Sequence, residues 1–356
     1  MVSLIVLVSS CSFDKTIKKK HLTKLLQPTG PYAIGTTSYH LIDPTRNDPH
    51  APHNKRELMV QVWHPAEKND LPKALYIPSE KVKNIFKNDL KDIFKAQDQD
   101  LIVFDTLKTH ATANAPIAQE KAQYPVIIFS PGRGAPIFIY TNFIEDLVSH
   151  GYIVVGINYP YLSNPVEFSD DRVIKKMSIE ELKKVWGVTT DDEVGVHEQS
   201  LWIADIQFVL DKLPEITMHA DLTRIGLVGH SFGGGSSTQA CAIDARCKAA
   251  VNIDGRFSYD PASDYGFNKP MLFIRSPHHS INKNTLENKN KKLHEQLKKM
   301  IYPAVYIEIP DMLHSSFGDI MLFIDDLSAW GKKIDVLAGV QQTRKLIGEF
   351  FNKQLV

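Results

Sequence analysis

Short runs of unbroken apolar residues recur along this chain, and between them apolar positions return at helical spacing. Residues 124–129 (YPVIIF), 152–157, 225–228, 248–254 (ending AAVNID), 269–275 (ending MLFIR) and 304–309 read as buried strands, because a strand covered on both faces has no polar side. Residues 32–42 and 57–64 read as two more. The second alternates Leu58, Val60 and Val62 inward with Met59, Gln61 and Trp63 outward, and a loop rich in Pro, Asn and His separates the two. That pattern predicts an antiparallel pair at a sheet edge. Helical spacing joins Val82, Ile85, Phe86, Leu90, Ile93 and Phe94, with Ser79 near the cap, and predicts a helix that packs in the core rather than serving a site. It returns over 138–150, over 198–213 with Leu201, Trp202, Val209, Leu210 and Leu213 facing inward, and over 233–242, 285–300 and 340–351.

From residue 124 onward strand and helix alternate, so the expected class is α/β: a mostly parallel central sheet with helices on both faces. At 356 residues one such domain with insertions accounts for the length, and it is expected to span 30–356. The alternation fails over 160–195. There Ser178-Ile179-Glu180-Glu181 forms a capping box ahead of Leu182, Val185, Trp186 and Gly187, which predicts a short amphipathic helix. Following a strand's carboxyl end, this insertion is read as a cap over the site or a membrane-facing edge, against a plain solvated excursion.

The chemistry concentrates at residues 224–235, RIGLVGHSFGGG. Gly229, Ser231 and Gly233 make a GxSxG pattern between a strand and a small-residue helix, where the turn is sharp enough to exclude a Cβ on either side of the serine. Such a turn exposes the Ser231 hydroxyl and sets the Phe232 N–H at a helix start, where partial positive charge favours an oxyanion. No GKS or GKT follows, and no GxGxxG follows a strand, so a phosphate loop is disfavoured. In an α/β-hydrolase arrangement the loop after strand 124–129 supplies a second oxyanion N–H; by position this is Arg133, through its backbone, leaving the side chain free to vary. The other reading makes Arg133 an ordinary loop arginine.

A serine needs an imidazole to take its proton and a carboxylate to orient that imidazole. In this fold class the order is serine, acid, histidine, which leaves His278, His279, His294 and His314. His294 falls in a helix and the adjacent pair follows a strand where an acid usually stands, so His314, after the last strand, is chosen. No acid lies between Asp264 and Glu287, so Asp254, ending the strand after the elbow helix, is the candidate, with Asp244, Asp260 and Asp264 as fallbacks.

Charge changes this picture little. Forty-one Lys and Arg balance 41 Asp and Glu, which gives no reason to expect nucleic acid and is compatible with neutral substrates or lipids. No metal or organic cofactor is implied. Cys11, Cys241 and Cys247 lack zinc-site spacing. Residues 2–8 are apolar but far short of the roughly 20 residues that span a bilayer. With Val8-Ser9-Ser10-Cys11 behind them they resemble a bacterial lipoprotein signal, although no Lys or Arg precedes the run. The resemblance implies a signal over 1–10, lipidation of Cys11, a tether over 11–29 and a location outside the cytoplasm, membrane-anchored or otherwise secreted. Export would permit a Cys241–Cys247 disulfide, against two thiols at a helix end.

Taken together, GHSFGG at 229–234, NIDG at 252–255 and HSSFGD at 314–319 resemble the platelet-activating-factor acetylhydrolase family, plasma and type II branch, of α/β-hydrolases. Gly30-Pro31-Tyr32, LMVQVWHP at 58–65 and FSPGRG at 129–134 add to it. The resemblance implies Ser231 as nucleophile, Asp254 as orienting acid, His314 as base, Phe232 and Arg133 as oxyanion donors, and phospholipids with short or oxidised acyl chains as substrates. Pro131 departs from it, standing where relatives commonly carry His, and the 160–195 insertion has little counterpart. A broad carboxylesterase or polyester hydrolase is the alternative; a non-catalytic lipid-binding relative and an acyltransferase are the others. Acyl-chain preference and oligomeric state are not specified by the sequence.

Overall fold

The computed structural model describes residues 22–256, 268–277, 302, 304–324 and 335–356. Cys11, Asp260, Asp264, His278, His279, His294 and the expected helix 285–300 lie outside the described residues.

The chain opens with β1 (Ala33–Asp48), β2 (Ala51–Ala66), β3 (Lys73–Leu75), α1 (Glu80–Phe94) and β4 (Lys108–Ala113). Then come β5 (Tyr124–Ser130), α2 (Thr141–Ser149), β6 (Ile153–Asn158) and an insertion carrying the hairpin β7 (Val166–Glu167) and β8 (Val173–Ile174) with α3 (Ile179–Trp186). The remainder is α4 (Asp191–Ile216), β9 (Ala220–His230), α5 (Phe232–Ile243), β10 (Cys247–Ile253), β11 (Met271–Arg275), β12 (Ala304–Glu308) and α6 (Val336–Leu355).

Across the main sheet the strands lie in the order β12, β11, β10, β9, β5, β6, β2, β1, β4, β3. From β12 to β6 every pair is parallel, and β2 reverses direction against both β6 and β1. The period of two decides what covers each face. In β5, Ile127 and Phe129 join the core beneath α2 and α6, while Val126 and Ile128 join the one beneath α4 and α5. This is an α/β-hydrolase fold with both faces of its sheet buried.

The structure corrects several expectations. The β1–β2 pair is not an edge: β6 borders it on one side, and β4 with β3 on the other. Trp63, expected outward, is buried in the core opposite to that of Leu58, Val60 and Val62. The expected loop between the two strands is largely paired, Asp43 against Arg56 and Asp48 against Ala51. Its polarity hid it, because the fully buried Arg56 donates to Asp48 and to Asp205 of α4, drawing the hairpin tip inward by charge. Helix α4 starts well before residue 198, at a capping box in which the Thr190 hydroxyl accepts from the Glu193 N–H while Glu193 accepts from the Thr190 N–H.

Candidate active site

The elbow is a sharp turn from strand into helix. Ser231 has φ 54° and ψ −119°, a backbone conformation that costs energy for any residue with a Cβ. Backbone bonds hold it: its N–H donates to the Ile253 carbonyl at 2.8 Å, and its carbonyl accepts from Gly235. A Cβ on Gly229 would lie 2.3 Å from the Gly233 oxygen, and one on Gly233 would lie 2.2 Å from the Pro131 oxygen. Both glycines are therefore required where strand, helix and the 130–134 loop meet.

His314 follows β12 and opens a short 3-10 turn. Its Nε2 is 2.8 Å from Ser231 Oγ and its Nδ1 is 2.8 Å from Asp254 Oδ2. Asp254, at the end of β10 with φ 53°, is buried to the last oxygen. The Ser276 hydroxyl and N–H donate to its two oxygens at 2.7 and 3.1 Å, and Arg275 stands 3.6 Å away. A carboxylate so supplied with donors accepts from Nδ1–H and leaves Nε2 as the acceptor facing the serine. The fallback Asp244 is elsewhere, paired with Arg246.

Phe232 is the first residue of α5, directly after the nucleophile, and Arg133, in the loop after β5, lines a cavity of about 220 Å³ together with Ser231 and His314. Its apolar wall comes from Phe86, Leu90, Ile93 and Phe94 of α1 with Ile139 and Met321. Helix α1 thus does more than pack: Val82, Phe86 and Leu90 are buried, yet the helix lines the cavity. The 160–195 insertion reaches the same wall with Asn164 and Lys176, and the Leu162 carbonyl grips the loop by accepting from the Gly134 N–H.

Three residues absent from the sequence reading shape the site. Tyr140 accepts from the Gly132 N–H at 3.0 Å and lies 2.9 Å from His230 Nδ1, and His230 Nε2 lies 3.0 Å from the His314 carbonyl. Burial pushes the Tyr140 pKa up and keeps its hydroxyl a donor, so Nδ1 of His230 accepts and Nε2–H donates. Ser276 is the third, holding Asp254. Of the three, only His230 is visible in the sequence, as the neighbour of the nucleophile, and its position ahead of Ser231 is wrong for a base in this fold class. Cys241 and Cys247 form a disulfide joining the end of α5 to the start of β10. Among the described residues, no group of three His, Cys, Asp or Glu side chains is arranged to hold a metal ion.

A family model described as platelet-activating factor acetylhydrolase, isoform II, matches residues 17–199 and 164–334. A protein of Arthroderma benhamiae named "Probable 1-alkyl-2-acetylglycerophosphocholine esterase" is 24% identical over 337 residues, covering 88% of this chain and 82% of that protein. The platelet-activating factor acetylhydrolase of Cavia porcellus is 24% identical over 282 residues, covering 71% of this chain and 61% of that protein. Among solved structures, a ferulic acid esterase from Streptomyces cinnamoneus superposes with a TM-score of 0.76 at 27% identity, covering 93% of each chain.

Proposed function

This chain belongs to the platelet-activating factor acetylhydrolase isoform II family, and we propose on that footing that it hydrolyses short-acyl esters of glycerophospholipids through a Ser231–His314–Asp254 triad. The observation that carries the reading is the single hydrogen-bonded line from Ser231 Oγ through both nitrogens of His314 to Asp254. Nε2 takes the hydroxyl proton as Oγ attacks the ester carbonyl, and the imidazolium that forms is stabilised by Asp254. The N–H groups of Phe232 and Arg133 take the negative charge on the carbonyl oxygen. His314 then protonates the leaving alcohol. Water, deprotonated by the same nitrogen, frees the acid and restores Ser231.

The small cavity with its apolar α1 wall supports short acyl chains. A broader carboxylesterase is the second reading, favoured by the likeness to a ferulic acid esterase. Hydrolysis of p-nitrophenyl acetate, butyrate and octanoate beside a short-acyl phosphatidylcholine, by the wild type and Ser231→Ala, separates the two. Serine-dependent turnover of the phospholipid with the short esters is expected. Turnover of simple esters alone would favour the second reading, and none of any would overturn both. We place the enzyme outside the cytoplasm, anchored through Cys11; the Cys241–Cys247 disulfide, a bond of oxidising compartments, supports export.

A further inference from the structure

The side chain of Arg133 is where sequence and structure part most sharply. If the residue served the site through its backbone alone, the side chain would have no task and a flexible solvated end would suffice. Instead its guanidinium carbon lies 4.5 Å from the centre of the Phe232 ring, beside the nucleophile. Nε and Nη2 are buried without a hydrogen-bond partner among the described residues. Stacking on an aromatic ring occupies the face of the guanidinium, but its N–H bonds lie in the plane and gain nothing from the ring. Buried donors left open in this way cost free energy unless something accepts from them. The unsatisfied edge, Nε with Nη2, is also the fork that matches two oxygens of a phosphate or carboxylate.

A second cation stands on the other side of the same loop. Lys176 Nζ and Cδ lie 3.5 and 3.4 Å from where a Cβ on Gly134 would begin. Its backbone is fixed, since the Lys176 N–H donates to Asn164 Oδ1 at 3.0 Å. The acidic residue among the cavity's lining, Asp89, accepts from Asn164 Nδ2; burial raises its pKa while the Lys176 charge opposes that rise. The wall around Gly134 therefore carries two cations and one carboxylate.

We propose that Arg133 and Lys176 form a subsite for an anionic oxygen group, phosphate or carboxylate, carried by the ester substrate. This rests on the esterase reading of Ser231 but not on which ester is natural. Arg133 donates from its fork to two oxygens, Lys176 adds a point charge, and the group is held beside the oxyanion loop while the ester lies on Ser231. Specificity follows from the unpaired fork: a neutral ester leaves it open, and an anionic one closes it.

The test uses matched substrates: an acetyl ester of glycerol phosphate against triacetin for an anion on the alcohol, and mono-p-nitrophenyl glutarate against p-nitrophenyl pentanoate for one on the acid. In Arg133→Met the anionic-to-neutral ratio of kcat/KM should fall at least tenfold on one pair, mainly through KM. In Lys176→Met it should fall severalfold, with recovery in Lys176→Arg, and the affected pair tells which side bears the anion. A ratio unchanged on both pairs in both Met variants overturns the subsite. Binding of inorganic phosphate to the wild type, weakened at least tenfold by Arg133→Met, is the readout that does not pass through hydrolysis. Phosphate bound equally by the wild type and both Met variants, or not at all, also overturns it. A wild type that binds phosphate in the expected way yet cleaves no ester counts against the esterase reading alone.

Discussion

The Tyr140 hydroxyl lies 2.9 Å from His230 Nδ1, and through that contact three separate loops of the site become one piece. Tyr140 receives the Gly132 N–H from the oxyanion loop, and His230, next to the nucleophile, reaches the His314 carbonyl. Removing the hydroxyl takes a hydrogen-bond partner from a buried N–H and from a buried ring nitrogen, a loss of about 1–3 kcal/mol of stability. Tyr140→Phe should fold, unfold at lower urea, and lose about 10- to 100-fold in kcat with KM little changed, because small misplacements of catalytic groups act on the transition state. A Tyr140→Phe enzyme with wild-type kcat would show that the contact is packing alone.

Asp254 sets the tautomer of His314, so Asp254→Asn presents an amide that can turn its NH₂ toward Nδ1 and reverse the roles of the ring nitrogens. The expected loss in kcat is about 10⁴-fold, with folding intact. Ser276→Ala, which removes one donor to Asp254, should cost far less. Steady-state rates of the two variants side by side check both. Near-normal turnover by Asp254→Asn would remove Asp254 from the mechanism.

Asp319 gives a pH dependence of stability. The residue is buried, accepts from the Asn142 N–H and Nδ2 and from Tyr76, and burial lifts its pKa from 3.8 to about 8. A carboxyl with its folded pKa raised contributes fully below its unfolded pKa, and that contribution is lost as pH climbs toward the folded value. Between about pH 4 and 8 it should therefore remove up to about 1.4 kcal/mol of stability per pH unit. Urea midpoints at pH 5 and pH 8 should separate more for the wild type than for Asp319→Asn, which does not titrate. Parallel shifts would contradict the assignment.

The Cys241–Cys247 bond closes a short loop at the turn from α5 to β10. Chain-entropy reasoning assigns such a loop about 2 kcal/mol. The double serine variant should unfold correspondingly earlier in urea, and free-thiol titration of the unreduced, unfolded protein should find neither cysteine. Two reactive thiols at those positions would contradict the pairing.

What was legible in the sequence is what local physics writes there. Gly229 and Gly233 announce a turn that tolerates no Cβ, unbroken apolar runs announce strands covered on both sides, and chain order pointed to Asp254 and His314, which the structure brings to Ser231. Period-two alternation in β2 showed which side chains share a face but not that the second face is covered too, hence the misplaced Trp63 and the false edge. Arg56 hid a paired strand because inward-facing charge reads as loop until Asp48 and Asp205 are seen beside it. The contact of Tyr140 with His230 spans 90 positions, and no local periodicity encodes it. The sequence placed Arg133 in the oxyanion loop but could not show that its Nε and Nη2 are buried there without a hydrogen-bond partner among the described residues.

The central claim is that Ser231 is the nucleophile. Its most direct test is to titrate the protein with a fluorophosphonate, following ester hydrolysis and locating the adduct by peptide mass spectrometry. One equivalent on Ser231 with activity lost in proportion is the predicted result, and His314→Ala should label far more slowly. Hydrolysis that persists once Ser231 is fully modified, or an adduct on another residue that abolishes activity, would contradict the account.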